Sequence, residues 1–278
     1  MQEETWITKA TGEQVVFDPE KLSRSLRRAG AGRERAEAIV RDVTAQLRPG
    51  MTTKRIYRMA HKMLRKETPH TAARYSLKQA LLELGPSGYP FEMFIARLLE
   101  AQGLRMQTGL IREGKCVSHE VDVFGEADGR VLLGECKFHN RQGLVCDVKV
   151  PLYIHSRFRD LCAGFLNAPE WEGRKPECWV FTNTRFTDDA LRYGRCSGMH
   201  LIGWDTPYDY GLREWVDRTG LHPLTCLTSL TRHEKSRLLE NRVVMARELL
   251  SEPAKLDLAE VPPGRVRGIL KEAEGLCG

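Results

Sequence analysis

The 278-residue chain is predicted to be an α/β protein: a small helical N-terminal part, a core with a mixed β-sheet flanked by helices, and a short helical C-terminal segment. Helical spacing of apolar residues dominates first, strands then alternate with helices up to about residue 206, and helical spacing returns afterwards. At roughly 150 residues per domain, the length favours about two domains. We predict segment boundaries at 1–87, 88–206 and 207–278.

Composition excludes two classes of protein. With 41% hydrophobic residues and 5 Trp, the chain is too apolar to be disordered. No stretch approaches the roughly 18 unbroken apolar residues of a membrane span, and MQEETWITKATGEQ at the start lacks the basic and apolar regions of a secretion signal. We therefore expect a cytoplasmic protein with no membrane partner.

The distribution of charge is more informative than the net charge of +6. Residues 1–85 contain 17 Lys and Arg against 10 Asp and Glu, whereas the rest of the chain is close to neutral. This excess favours a polyanionic partner for the N-terminal segment, with solvated helix faces as the alternative. The 8 cysteines form no Cys-x-x-Cys pair, so reduced thiols are favoured over a structural zinc site.

The N-terminal segment is predicted to begin with a β-hairpin formed by WITK and QVVF around the turn ATGE. Asp18 can cap a helix whose first residue is Pro19, because Asp accepts from backbone N–H groups and Pro suits the first helical position. Further helices are predicted at about 33–48, at 52–66 and through 71–85.

The middle segment is predicted to alternate between helices and strands. A helix at 91–103 precedes a strand near 106–111 and a hairpin made of HEVDVFG and VLLGECKF. A helix in VPLYIHSRFRDLCAGFL, the strand CWVFTNT, a helix in TDDALRYGRC and the strand HLIGWD complete the α/β pattern. After about Leu224, helices are predicted in SLTRHEKSRLLENRVVMARELL and PPGRVRGILKEAEGL.

The predicted hairpin carries a candidate metal site. Alternation along a strand places Glu135 and Lys137 on one face, and hairpin pairing brings Asp122 alongside them. Mg²⁺ or Mn²⁺ suits Asp122, Glu135 and the carbonyl of Cys136, since such ions prefer oxygen ligands. Lys137 would steady an attacking water or the charge that develops on phosphorus, and Glu92 would support a second metal or a water. The predicted reaction is metal-assisted hydrolysis of a phosphodiester.

Two alternatives remain open at this stage. Asp122, Glu135 and Lys137 also suit a surface hairpin whose charges pair across strands, because so short a pattern occurs by chance. On the next predicted helix, Arg157 is a candidate contact to a DNA backbone or part of a solvated face, as are two neighbouring cations, Lys149 and Arg159.

A further set of residues follows the hairpin in a characteristic order: Val180-Phe181-Thr182-Asn183, Phe186-Thr187, Ala190 and Leu201-Ile202-Gly203-Trp204-Asp205. Together with Asp122 and Glu135-Cys136-Lys137, this order resembles the PD-(D/E)XK nucleases, specifically the Mrr-like restriction endonucleases. The resemblance covers about 88–205 and implies a restriction-endonuclease-like core that cuts DNA. Many Mrr-like proteins carry Gln where this chain has Glu135, and Glu is the general form of the superfamily.

The N-terminal residues carry a second pattern: Ile7-Thr8-Lys9, Gly12, Phe17-Asp18-Pro19-Glu20-Lys21-Leu22, Thr52-Thr53, Ile56 and Ala72-Ala73-Arg74-Tyr75. This set resembles the ATP-cone, a regulatory module that binds ATP or dATP. The resemblance implies that Lys9 and Lys21 contact phosphates, that Thr53 and Tyr57 lie near the nucleotide, and that Asp18 lies near the base or ribose. The alternative is a DNA-gripping or dimerisation module that keeps this fold without its ligand.

Two other patterns carry less weight. The spacing of Gly109, Gly114 and Lys115 is that of a P-loop, but a strand is predicted to follow it, so a loop at the mouth of the nuclease cleft is favoured. Residues 258–270 resemble a helix-hairpin-helix module, and a helical scaffold is the favoured alternative because Pro262-Pro263 removes two backbone donors.

The sequence thus predicts a Mg²⁺-dependent DNA endonuclease whose N-terminal module binds ATP or dATP as an effector. The alternative is a nucleotide-responsive DNA-binding regulator with a catalytically silent nuclease fold. Cutting both strands of a duplex needs two active sites, which favours a homodimer.

Overall fold

The computed structural model describes residues 4–278, apart from the side chain of Glu67. The predicted α/β class with a mixed sheet and a helical C-terminal segment is confirmed. The described residues form two compact units: 4–80 together with 222–278, and 81–221. The three-segment division at residues 87 and 206 stays a prediction.

The first unit opens with the predicted hairpin, β1 (Trp6–Thr8) and β2 (Gln14–Val16), which pair antiparallel. Gly12 has a φ of 87° in the turn between them, a conformation that glycine adopts without strain. A third strand, β3 (Met51–Thr52), joins β1 in parallel and was not predicted, because two residues carry no periodicity.

The helices of the N-terminal part are α1 (Pro19–Arg28), α2 (Arg33–Ala45), α3 (Thr53–Glu67), α4 (Pro69–Tyr75) and α5 (Leu77–Leu82). The cap of α1 is as predicted, since Asp18 Oδ1 accepts from the Lys21 N–H at 3.0 Å. The prediction of one helix over 71–85 was wrong. The helix is interrupted at Ser76, whose hydroxyl donates to the Ala73 carbonyl at 2.8 Å and so competes with the helical pattern.

The second unit contains a five-stranded sheet in the order β10-β8-β6-β5-β4. Its strands are β4 (Arg105–Glu113), β5 (Ser118–Ala127), β6 (Arg130–Lys137), β8 (Lys175–Thr182) and β10 (His200–Ile202). Strands β4 to β6 run antiparallel, and β6, β8 and β10 run parallel. The sheet is therefore mixed, and β6 is its central strand.

Four helices accompany this sheet: α6 (Tyr89–Glu100), α7 (Lys149–Ala163), α8 (Asp188–Cys196) and α9 (Leu212–Thr219). A separate two-stranded sheet pairs β7 (Val145–Cys146) with β9 (Arg185–Phe186). The loop expected around Gly109 is instead part of β4, and β5 follows it, which agrees with the rejection of a P-loop.

The C-terminal helices are α10 (Arg232–Glu240), α11 (Ala246–Ser251) and α12 (Pro263–Cys277). The prediction of one helix over 229–250 was wrong, because Arg242 lies in the left-handed region with φ of 63° and the chain turns there. A capping box between Thr231 and Glu234 begins α10. Among residues 4–278, no helix is long and apolar enough to cross a membrane.

Candidate active site

The β5–β6 hairpin brings the predicted metal-site residues together. Val123 lies opposite Gly134 in the antiparallel register, so Asp122 lies beside the end of β6. The Cys136 N–H donates to Asp122 Oδ2 at 2.7 Å, and Lys137 Nζ donates to Glu135 Oε1 at 2.6 Å. The side chains of Glu135 and Lys137 therefore share one face of β6, as strand alternation requires.

Glu92 completes this group from α6. Burial, and after it the carboxylates of Asp122, Glu120 and Glu135, together raise the pKa of Glu92 to about 7. Burial also raises the pKa of Asp122 to about 6, with the Glu135 carboxylate as the second cause. Mutual repulsion between carboxylates shows that they lie within electrostatic range of one another. We call Glu92, Asp122, Glu135 and Lys137, together with Arg157 described next, the carboxylate site.

Arg157, on α7, is a member of the site whose role the sequence did not indicate. Its Nη1 donates to Glu135 Oε2 at 2.6 Å, and its Nη2 donates to the Glu120 carbonyl. The Arg157 side chain is only 16% exposed, which argues against the solvated helix face considered above. Glu120 could have been found from the sequence, because it precedes Asp122 by two residues and therefore lies on the same strand face.

Buried polar side chains fix the chain just after Lys137. Thr182 Oγ1 donates to the Lys137 carbonyl at 2.8 Å. Asn183 accepts from the His139 N–H at 2.9 Å and donates to the His139 carbonyl at 2.7 Å. Thr182 and Asn183 are fully buried, so these bonds are shielded from water and hold the end of β6 in place.

The charges of this site suit a divalent cation. When ionised, Glu92, Glu120, Asp122 and Glu135 carry four negative charges, against the two positive charges of Lys137 and Arg157. The excess would be neutralised by one Mg²⁺ or Mn²⁺, and Asp122, Glu135 and the Cys136 carbonyl offer oxygen ligands. Within residues 4–278, no group of three or more His, Cys, Asp or Glu side chains is already arranged around a common metal position.

The residues predicted to bind nucleotide lie in the other unit and make mainly local contacts. Lys9 Nζ pairs with Glu13 Oε2 at 2.9 Å, and Asp18 caps α1 through the Lys21 N–H. Thr8 lies opposite Thr52 in the parallel β1–β3 pair, which brings the next residues, Lys9 and Thr53, to the same end of the sheet.

Tyr57 lies one turn along α3, and its ring stacks on that of Tyr75 with centroids 5.2 Å apart. The functions of Lys9, Asp18, Lys21, Thr53 and Tyr57 in nucleotide binding stay predictions.

Other polar side chains of the unit formed by residues 81–221 have structural partners. His119 Nε2 lies 2.8 Å from Asp160 Oδ2, and Asp160 also accepts from the Cys116 N–H. The guanidinium of Arg112 lies over the Phe165 ring at 5.2 Å. All 8 cysteines, each within the described residues, are free thiols.

Two family profiles match the chain. The profile of the ATP cone domain covers residues 6–81, and that of AF1548-like proteins, C-terminal part, covers residues 222–277. The N-terminal resemblance to an ATP cone is therefore confirmed.

Two known proteins are similar to about two thirds of this chain, and the similarity covers nearly all of their own length. An uncharacterized protein of Archaeoglobus fulgidus is 32% identical over 185 residues, which are 66% of this chain and 100% of that protein. The crystal structure of a protein of unknown function, AF1548, matches with a TM-score of 0.56 and 32% identity, over 69% of this chain and 99% of that one.

The restriction endonuclease MspJI, solved with a 27-mer oligonucleotide, is a weaker structural match. It has a TM-score of 0.38 and 15% identity, over 76% of this chain and 44% of that chain, and carries no functional argument. The AF1548-like profile over residues 222–277 and the 32% identity to the Archaeoglobus fulgidus protein, which aligns over its full length, indicate the same family. The chain belongs to the AF1548-like family and carries an ATP cone domain at its N-terminus.

Proposed function

We propose that the protein is a Mg²⁺- or Mn²⁺-dependent DNA endonuclease whose activity is regulated by ATP or dATP. The observation that carries this proposal is the convergence of Asp122, Glu135 and Lys137 at the end of a central sheet strand, with Glu92 in electrostatic range. Carboxylates with strongly perturbed pKa values beside a lysine are typical of catalytic sites.

Each member of the site has a proposed role. Asp122, Glu135 and the Cys136 carbonyl would hold the divalent ion, which would lower the pKa of a bound water and neutralise charge on the phosphate. Lys137 Nζ, 34% exposed, orients the attacking water and stabilises the developing negative charge. Glu92, whose pKa is raised to about 7, changes protonation near neutral pH and can exchange a proton with a nearby water.

Arg157 has a supporting part in this proposal. By donating to Glu135 Oε2 it fixes the carboxylate from the side opposite Lys137, so Glu135 is held in one orientation. Residues that orient a metal ligand in this way commonly matter as much for activity as the ligand itself.

The nucleotide part of the proposal rests on the ATP cone domain over residues 6–81. Lys9 and Lys21 are proposed to contact phosphates, Thr53 and Tyr57 to lie beside the nucleotide, and Asp18 to lie near its base or ribose. The protein is proposed to act in the cytoplasm on DNA, as a homodimer that places one site on each strand.

Plasmid cleavage tests the catalytic assignment. Wild-type protein should cleave plasmid DNA with Mg²⁺ and not with EDTA, and Asp122→Ala and Lys137→Ala should each lower the rate by about 100-fold or more. Lys175→Ala is the matched control, because Lys175 is exposed and lies at the start of β8, at the end of the strand away from the carboxylate site. Cleavage that survives both substitutions would contradict the assignment.

Calorimetry tests the effector. ATP and dATP should bind the full chain, and Lys21→Ala should weaken that binding by about tenfold or more, because it removes a charged contact to phosphate. Absence of any binding event sensitive to Lys21→Ala would contradict a nucleotide site in the cone. Cleavage assays with saturating ATP then measure whether the nucleotide activates or inhibits.

One observation favours a second candidate, a nucleotide-responsive DNA-binding regulator with a catalytically silent nuclease fold. Both oxygens of Glu135 already accept hydrogen bonds, from Lys137 and from Arg157. Such pairing is also what a purely structural ion-pair cluster would show. Tight DNA binding without cleavage in either Mg²⁺ or Mn²⁺, on plasmid, branched and methylated DNA, would support the regulator.

A further inference from the structure

A cavity lies within the unit formed by residues 4–80 and 222–278, and none of the functions proposed above uses it. Its volume is about 610 Å³, within the range of roughly 300–1,000 Å³ that is typical of small-molecule sites. The end of α3, the start of α4, the loop at Thr228-Ser229 and one face of α12 line it, and it is open to solvent. We call it the basic cavity; the lining residues used below are Arg65, Ser229, Gly264, Arg265, Gly268 and Lys271.

The charges that line the basic cavity are mostly positive. Arg265 pairs with Glu234, and Glu272 accepts from the Thr228 and Ser229 N–H groups at 2.7 and 2.8 Å. Arg65 and Lys271 have no carboxylate partner among the side chains that the structure describes. Two cations therefore face the cavity with their charge uncompensated by a paired carboxylate, which favours an anionic ligand.

The loop at Thr228-Ser229 forms one wall of the same space. The loop that carries Ser229 is held rigidly, because Arg265 donates to the Ser229 carbonyl and Arg65 donates to the Thr228 carbonyl at 3.1 Å. This loop is therefore a fixed wall of the cavity.

The first turns of α12 leave room for that ligand. Gly264 and Gly268 lie one turn apart in the cavity wall, and a Cβ added at either would meet no atom within 4 Å. Pro262 and Pro263 have no N–H, and the Arg265 N–H donates to the Pro262 carbonyl, so the Gly264 N–H is the donor that this helix terminus adds to the cavity wall.

We propose that the basic cavity is a second phosphate site, in which Arg65, Lys271 and the Gly264 N–H at the start of α12 bind a small phosphate ester of nucleotide size. A volume of about 610 Å³ is large enough for a nucleoside phosphate. The site contains none of the cone residues Lys9, Lys21 and Thr53. It therefore stands whether or not the cone binds ATP.

Calorimetric titration of the full chain with ATP tests the site. Wild-type protein should show a binding event that Lys271→Ala weakens at least tenfold and Lys21→Ala leaves unchanged. Lys62→Ala is the matched control, since Lys62 is exposed on α3 and does not line the cavity. If the cone also binds ATP, a second event appears that responds to Lys21→Ala alone, so failure of either site is distinguishable from failure of the other.

A steric variant provides an independent test. Gly268→Leu should fill the cavity and weaken the same event at least tenfold, with Gly268→Ala as the control that changes the helix equally without filling it. Thermal unfolding verifies that both variants are folded. An ATP isotherm that neither Lys271→Ala nor Gly268→Leu changes would overturn the proposal. Loss of duplex-oligonucleotide binding in both variants, with ATP binding intact, would also overturn it by assigning the surface to DNA.

Discussion

The two predicted ligand sites differ in how the fold holds their residues. In the carboxylate site, α6, β5, β6 and α7 each contribute a charged side chain, and burial shifts the pKa values of Glu92 and Asp122 upward. In the cone, Lys9 and Asp18 are bonded to residues six or fewer positions away, and their side chains are 39% and 51% exposed. The first site is built by tertiary packing, and the second mostly by local structure.

This difference has an energetic consequence. Desolvated charges interact strongly and are costly to leave unpaired, whereas exposed ion pairs contribute little because water and salt screen them. Substitutions in the carboxylate site should therefore change stability as well as activity. Substitutions in the cone should change ligand binding with little effect on stability.

The largest effect is expected from removing Arg157. Arg157→Ala leaves the Glu135 carboxylate, 11% exposed, without one of its two cationic partners. The free energy of unfolding of the full chain in urea should fall by about 2–3 kcal/mol. Arg159→Ala, on the exposed face of the same helix, should change it by less than about 0.5 kcal/mol. Equal losses of stability in Arg157→Ala and Arg159→Ala would show that the pair between Arg157 and Glu135 contributes no more than an exposed arginine does.

The next effect is a dependence of stability on pH. A carboxyl whose pKa is higher in the folded than in the unfolded chain binds its proton more tightly when folded. In EDTA, the free energy of unfolding should therefore fall as pH rises from the ordinary value of 4.5 for Glu92 to its raised value of about 7. Allowing for partial exposure, Glu92→Gln should remove about 1–2 kcal/mol of that fall.

Glu100→Gln, exposed on the same helix, is the control for this pH series and should retain the wild-type dependence. A Glu92→Gln variant with the full wild-type fall would show that Glu92 does not titrate within the carboxylate site. Denaturation in urea at pH 4.5 and pH 7.5 is sufficient for the comparison.

A smaller effect is expected at the cap of α1. Asp18→Ala removes the acceptor of the Lys21 N–H and should lower the free energy of unfolding by about 1 kcal/mol. Asp18→Asn keeps an acceptor and removes the charge, so it should retain most of the stability. If Asp18→Asn is as stable as the wild type but binds ATP more weakly, Asp18 contacts the ligand in addition to capping α1.

The smallest effect on stability is expected at Lys9. Its ion pair with Glu13 joins side chains that are 39% and 59% exposed, so Lys9→Ala should cost less than about 0.5 kcal/mol in thermal unfolding. The same substitution should weaken ATP binding if Lys9 contacts phosphate. A large loss of stability would mean that tertiary packing holds Lys9, as it holds the residues of the carboxylate site.

Local signals predicted much of the fold. The hairpin before Asp18, the cap of α1 and the alternation of strands with helices in the middle segment follow from turn residues, capping side chains and periodicity. The strands β3, β7 and β9 and the helix α9 were not predicted. The three strands have only two residues each, and they form because a partner strand is present.

The candidate site was predicted only where its residues lie close together along the chain. Asp122, Glu135 and Lys137 share one hairpin, so strand geometry alone places them together. Arg157 is separated from Glu135 by 22 positions along the chain, and no periodicity links the two residues. Their ion pair depends on how α7 packs on the sheet.

The sequence by itself therefore determined the α/β class, the local elements, and the residues of the carboxylate hairpin, because each depends on neighbours within a few positions along the chain. The tertiary structure decided which cation meets Glu135, how strongly Glu92 is desolvated, and that the face of α12 with Gly264 and Gly268 lines a cavity beside Arg65. Burial and long-range pairing set these features, and both depend on elements far apart in sequence.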